Sequence, residues 1–498
     1  MLATYLIVTV ATVVIVRWLK KYLAYRALFN NLPGETDFSY LTGTMHKIPG
    51  TNEDGLAYER ENARKYKYFH RVWAGPLLPA LLLYHPDTIK AVIKSQAPKP
   101  RGKLLATAYD MGVRWLGEGL IIANGDRWAR SRRLLTPAFH FDILKSYLDI
   151  YNKCADILIN KISTSSSGGK SMEMYSLINM HALDIILRCA FSYNSDCQTL
   201  ESGNEYVKVI SELQRLWSKR ALQPHLFVEL IYSVSTDGKR FYKLCDIAHQ
   251  VSEDVIEKRR GELERDPSLA SQKKVKDFLD LLLSARDDDG QGLSPVELRN
   301  EVDTFMFAGH DTTASAMTWT LYALAGHPEC QERVYEEINQ LLGDRQDLEW
   351  GDLANLEYTT MCLKEAIRLH GPVPLIERLT SEDLSINGTI IPAGTRVAFY
   401  LYVLHNNPHI WDEPHEFRPD RFHPDKQRHM DPFQYIPFSA GARNCIGQNF
   451  AMNEMKTTIV KVIRKFQLSL DPQNQARRNN VVTMKPENGV YLYATPRS

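Results

Sequence analysis

The chain has 498 residues and a mass of 57.1 kDa, with 60 Lys and Arg against 59 Asp and Glu, for a formal net charge of +1. With 44% hydrophobic and 24% charged residues it has the proportions of a folded globular chain, which excludes the disordered, collagen-like and coiled-coil classes. Charge neutrality argues against a dedicated nucleic-acid binder, which would carry a basic excess.

The first 16 residues (MLATYLIVTVATVVIV) carry no charge and are followed by Arg17, Trp18, Lys20, Lys21 and Tyr22. As a helix they reach about 24 Å, short of a ~30 Å hydrocarbon core. Extension to Leu23 closes the gap if Arg17 and the lysines snorkel, with Trp18 and Tyr22 at the headgroup boundary. Positive charge follows the apolar run, whereas in a cleaved signal peptide it comes first. Residues 1–23 therefore read as an uncleaved, single-pass signal-anchor, which leaves the rest of the chain cytosolic. Residues 24–50 read as a connector with a turn at Pro33-Gly34. Residues 51–498 read as one large domain, since no flexible linker cuts them and no repeat is visible.

Within that domain, residues 76–85 (PLLPALLLYH) suggest a short buried strand. Helical periodicity marks 141–162, 177–191, 206–222, 241–264, 278–285, 295–325, 328–342 and 359–370. Residues 163–169 and 287–292 are loops by composition. Residues 380–400 alternate and carry NG and AG turns, so they read as a hairpin region, and 481–493 as another with Asn488-Gly489 at its tip. The fold class is mainly α (α+β), a large helical domain with small sheets. Asn387-Gly-Thr389 matches a glycosylation sequon, which on a cytosolic domain is a chance match.

Seven cysteines fall at 154, 189, 197, 245, 330, 362 and 445, an odd count with no CxxC pair. Zinc ribbons and secreted disulfide frameworks are disfavoured, leaving reduced thiols of which at most one does chemistry. The informative one lies in Phe438-Ser-Ala-Gly-Ala-Arg-Asn-Cys-Ile-Gly447, ahead of an apolar helical pattern. A thiolate at a helix start is favoured by the macrodipole and free N–H groups. With no second metal ligand nearby it suits a haem axial position rather than zinc. A buried structural cysteine is the other reading.

Four more motifs accompany this loop: Trp128-x-x-x-Arg132, Ala308-Gly309-His310-Asp311-Thr312-Thr313, Glu365-x-x-Arg368 and Pro419-x-Arg421-Phe422. In this order and spacing the set resembles the cytochrome P-450 haem-thiolate monooxygenases of the microsomal branch, from about Pro33 to the C-terminus. The resemblance implies non-covalent haem b with Cys445 as axial ligand of its iron, in a loop framed by Phe438 and Gly447. It implies Trp128, Arg132, Arg378 and Arg443 at the haem propionates. It also implies electrons from NADPH through a flavoprotein, the NADPH–cytochrome P-450 reductase, with cytochrome b5 as an optional second donor, and an endoplasmic-reticulum membrane location.

Ala308 and Thr312 are four apart and share one helix face, and Gly309 lets that helix approach a ligand. Asp311 and Thr312 are the candidate catalytic proton relay. The other reading of Thr312 is a hydroxyl bonded back to its own helix. Glu365, Arg368 and Arg421 read as a buried structural triad. Arg127, Arg130, Arg132 and Arg133 crowd one helix and read either as a basic face for the reductase or as a solvated face.

Residues 134–140, 301–307 and 437–455 look like those of the family-four fatty-acid ω-hydroxylases. Many members of that group carry a glutamate, esterified to haem, where this chain has Ala308, so strict terminal selectivity is less assured here. The expected pocket draws on 109–121, 211–232, 305–312, 373–377 and 488–490. The leading function is hydroxylation of a fatty-acid-like lipid at or near its terminal carbon. The alternatives are a xenobiotic or sterol monooxygenase, a reductase-independent fatty-acid hydroperoxide isomerase or dehydratase, and a non-enzymatic haem sensor or membrane scaffold.

Overall fold

The computed structural model describes residues 2–94, 97–102, 104–195, 197–199, 205–266, 276–287, 289–386 and 388–497. Asn387 of the sequon lies outside them. Among the described residues, the helices of eight residues or more are α1 (Leu2–Asn30), α2 (Glu53–Lys65), α3 (Pro86–Lys94), α4 (Ala108–Leu116), α5 (Gly125–Leu135), α6 (Leu148–Ser165), α7 (Met174–Phe191), α8 (Glu205–Ala221), α9 (Thr236–Arg265), α10 (Pro295–Gly326), α11 (Pro328–Leu342), α12 (Glu357–His370) and α13 (Gln448–Lys465). The strands are β1 (Phe69–Ala74), β2 (Leu78–Leu83), β3 (Met172–Glu173), β4 (Ile376–Leu379), β5 (Leu384–Ile386), β6 (Thr389–Ile391), β7 (Arg396–Phe399), β8 (Phe466–Leu470), β9 (Arg478–Asn480), β10 (Met484–Pro486) and β11 (Tyr491–Pro496).

The core is organised by α10. It starts at a reciprocal cap, in which the Ser294 hydroxyl accepts from the Glu297 amide and the Glu297 carboxylate accepts from the Ser294 amide, with Pro295 at the first helical position. It stops just before Pro328, which disfavours helical geometry in the residue ahead of it. Nearly every side chain from Leu298 to Ala325 is buried, so α10 is a core rod, packed chiefly on α7 and α12.

A four-stranded sheet of order β1-β2-β7-β4 lies to one side, with β2 and β7 parallel and the other pairs antiparallel. Its residues form a second apolar cluster, separate from the helical one.

The anchor segment is helical and runs past Leu23 to Asn30, so the expected connector begins inside a helix. Tyr5 to Val16 present exposed apolar side chains. The other end is tied to the body, where the Tyr22 hydroxyl donates to the Pro76 carbonyl at 2.7 Å and Phe29 is fully buried near Trp73. Among the described residues no helix is long and apolar enough to cross a membrane.

Three local expectations differ. The helix over 141–162 is broken at Tyr147, whose amide turns back to the Leu144 carbonyl. Of residues 380–400, β5 and β6 form the hairpin, while β7 joins the large sheet. At the C-terminus the hairpin is β9–β10 with its turn at 481–483. Asn488-Gly489 instead leads into β11, which pairs with β8 and β3. Gly489 adopts a φ of +82° there, and the Val490 amide donates to Glu173.

The triad forms as expected. Arg368 meets both Glu365 oxygens at 2.7 and 2.8 Å, and Arg421 Nε lies 3.2 Å from the same carboxylate. Glu365 and Arg368 are fully buried. Arg368 also donates to the carbonyls of His405, Pro414 and Glu416, so one guanidinium ties α12 to two later loops. Arg368→Ala is expected to destabilise the fold by about 3–5 kcal/mol, since it strands a buried carboxylate. Thermal melting of the holoenzyme checks this, and an unchanged midpoint would contradict it.

Candidate active site

A cavity of about 600 Å³ is lined by residues of both apolar clusters and by 45–55 of the N-terminal part. Its walls are mostly apolar, as in a site for a lipophilic ligand. Cys445 is the one cysteine with an exposed side chain, and it faces this cavity; the other six are buried. Its amide donates to the Phe438 carbonyl at 2.9 Å, closing the loop just ahead of α13. That closure uses Ser439 at φ +59° and Gly441 at φ +72°; a Cβ on Gly441 would also stand 3.1 Å from Ile93. Burial pushes the Cys445 thiol up, while the Gly447 amide and the Arg132 charge pull it back toward the thiolate.

Arg132 on α5 donates to the Asn444 carbonyl and side-chain oxygen, both at 2.9 Å. Arg443 donates to the Ala123 carbonyl and to Asn124, and lies 4.3 Å from the Trp128 ring centroid. Trp128, Arg132, Phe438, Arg443, Cys445 and Gly447 all line the cavity. Arg378 is buried behind it, not on its wall, and donates to the Glu377 carbonyl.

Sequence reasoning missed Lys99. This half-buried lysine lines the cavity and donates to the Ile121 carbonyl; nothing in its local sequence marks it. Burial, then the charges of Arg378 and Arg443, hold its pKa well below the lysine range. Arg443 is pushed down to about 10 by burial and by Arg378. Among the described residues, none of Lys99, Arg132, Arg378 and Arg443 has a carboxylate in ion-pair range. A group bearing two carboxylates beside a flat apolar body, as haem b does, fits this set and would neutralise it.

Ala308 and Thr312 share the cavity face of α10. The Thr312 hydroxyl donates to the Ala308 carbonyl at 2.8 Å, the back-bonded alternative. Gly309 serves helix packing more than ligand approach, because a Cβ there would meet Ile186 of α7 at 2.7 Å. Asp311 points away from the cavity. Its carboxylate lies 2.8 Å from Lys485 Nζ and 2.5 Å from the Thr483 hydroxyl, both from the C-terminal hairpin. Burial alone would raise Asp311, but Lys485 chiefly, then His310 and the Thr483 hydroxyl, overcome it and leave the acid below its ordinary value. Thr483 lines the cavity, and its hydroxyl also lies 2.8 Å from Gln214 Oε1.

The expected pocket segments contribute, except 488–490; the shifted hairpin puts 480–483 there instead. The basic face on α5 is largely spent. Arg127 pairs with Glu297, Arg130 with Asp287 and Glu297, and Arg132 with the Cys445 loop.

The family model for cytochrome P450 matches residues 33–493. Cytochrome P450 4F6 of Rattus norvegicus is 42% identical over 456 residues, which cover 90% of this chain and 84% of that protein. Ultra-long-chain fatty acid omega-hydroxylase of Homo sapiens is 42% identical over 454 residues, covering 89% and 85%. Leukotriene-B4 omega-hydroxylase 3 of Mus musculus is 38% identical over 488 residues, covering 96% and 92%. An intact thiol loop, an uncompensated cationic cluster beside it and these matches identify the chain as a member of the cytochrome P450 family, monooxygenases that use haem b and take electrons from NADPH through a reductase.

Proposed function

We propose that the protein hydroxylates fatty acids or related lipid acids at or near the terminal methyl, with Cys445 as the axial thiolate of its haem. The observation that carries this is the single cavity-facing cysteine in a mostly apolar cavity of about 600 Å³. Lys99, Arg132, Arg378 and Arg443 would hold the haem propionates, with Trp128 packed among them. When bound, haem supplies dioxygen activation, favoured by thiolate donation. Ala308 has no carboxyl, so this position of α10 offers haem no ester bond. Two relatives named as ω-hydroxylases of a fatty acid and of a leukotriene support the lipid class. The retained Asp311-Thr312 pair weighs against the hydroperoxide isomerase reading.

Conversion of a C–H bond to an alcohol with release of one water consumes two electrons and two protons per dioxygen. The chain must therefore deliver protons into an apolar cavity. Thr312 stands on the cavity face, and Thr483, on the cavity wall, donates to Asp311 behind it. Lys485 keeps Asp311 ionised, ready to accept a proton from the interior side and pass it through a hydroxyl. The exposed apolar stretch of α1 is the proposed attachment to the endoplasmic-reticulum membrane, with the catalytic body in the cytosol.

The direct test is turnover of a chain-length series of fatty acids by the full chain with NADPH and the reductase in vesicles, with products located by mass spectrometry. Terminal or near-terminal alcohols are expected, and a chain truncated before residue 24 should leave the vesicles while keeping its activity. Loaded enzyme that yields no lipid product would overturn the substrate class.

The Lys485–Asp311 pair makes a separate prediction. A depressed carboxyl stabilises the fold above its unfolded pKa, and that stability is lost as pH falls through its folded one. Lys485→Met should destabilise the enzyme at neutral pH by about 3–5 kcal/mol. It should also move the acid limb of the rate profile to higher pH and waste more NADPH per product. The Asp311→Asn, Lys485→Met double variant should recover most of the stability without the coupling. Additive losses in the double variant would contradict the pairing.

A further inference from the structure

Once the basic cluster beside Cys445 is assigned to haem, one cation on the cavity wall remains among the described residues. Arg396 opens β7 and stands in register with Ala80 of β2, itself opposite Val72 of β1. All three line the cavity. This is the β-sheet half of the cavity, built on the second apolar cluster, whereas Cys445 belongs to the helical half. One guanidinium nitrogen of Arg396 lies 3.1 and 3.3 Å from the two Glu377 oxygens. The other two nitrogens, Nε and Nη1, are shielded from solvent and have no hydrogen-bond partner among the described residues. A buried donor left unmet is costly, most of all on a charged group.

We infer that Arg396 is the carboxylate-binding residue of the substrate site, accepting the acid end of a fatty acid while the chain runs along the cavity toward Cys445. The inference deepens the fatty-acid reading above and rests on it. Glu377 holds the guanidinium in place without exhausting its donors, and a charge-assisted bond from arginine to a carboxylate is the strong form of such contact. The remaining wall carboxyl on this side, Glu59, is buried, and burial pushes it up to about 7, so it opposes an incoming anion less than an ordinary glutamate. An acid fixed in the sheet half leaves the opposite, methyl end of an extended chain to reach the helical half. Terminal selectivity would then come from a fixed acid end, with no need for a tethered haem.

The experiment uses the full-length holoenzyme and two probes, hexadecanoic acid and its methyl ester, with affinity read from the haem absorption change and products read by mass spectrometry. Wild-type enzyme is expected to favour the acid. Arg396→Gln should weaken the acid at least about tenfold, leave the ester unchanged and spread hydroxylation inward from the terminus. Arg396→Lys should recover part of the preference. Haem loading by the ferrous–CO spectrum confirms that each variant folds. A wild-type preference for the acid that survives Arg396→Gln overturns the assignment and leaves the fatty-acid reading intact. Wild-type enzyme that takes neither probe overturns both.

Discussion

Three basic side chains, Lys99, Arg132 and Arg443, line the cavity beside the Cys445 loop, with Arg378 buried behind them, and none has a carboxylate in ion-pair range among the described residues. Like charges held together in a poorly solvated site repel, and the cost shows in the depressed Lys99 and Arg443. Such a site is complete only with an anion in it. The surrounding architecture serves that requirement: α5 supplies Trp128 and Arg132, the segment before α4 supplies Lys99, β4 supplies Arg378, and the turn before α13 supplies Arg443 and the thiol itself. On the proposed assignment, haem would complete the electrostatic balance of the fold as well as supply its chemistry.

Two buried ion pairs then fix the elements on either side. Glu365 and Arg368 immobilise α12 against the loops that precede the cysteine turn. Asp311 and Lys485 pin the centre of α10 to the C-terminal hairpin. Buried pairs add little net stability over apolar packing, but they are unforgiving of a missing partner. That property suits positions where geometry matters more than strength. The second pair also places an ionised acid one residue from the cavity-facing Thr312, with Thr483 of the cavity wall donating to it. On the proposed mechanism, the contact that pins α10 would also supply protons.

Much of this was legible in the chain. Helices with a clear apolar period, such as α10, α11 and α12, fall where the pattern puts them, since the residues that set the period also bury it. The Glu365–Arg368–Arg421 triad follows from its motifs, whereas the hold of Arg132 on Asn444 was not expected. What escaped has a physical reason in each case. Lys99 matters through burial next to two arginines distant in sequence, which local pattern does not register. Lys485 pairs with a residue 174 positions away. The Asn488-Gly489 turn looks like a hairpin tip, but β11 finds better partners in β8 and β3 than in its neighbour. Residues 24–30 are helical because Phe29 and its neighbours dock on the body.

The claim on which the rest depends is that Cys445 and the four cations form the haem site. The most direct measurement is the ferrous–CO difference spectrum of the purified full chain, compared with Cys445→Ser and with Lys99→Met. The account expects the red-shifted band of a thiolate-ligated haem in the wild type and its complete loss in Cys445→Ser. Lys99→Met should keep the band position but hold haem more weakly. A thiolate band that persists in Cys445→Ser would contradict the account.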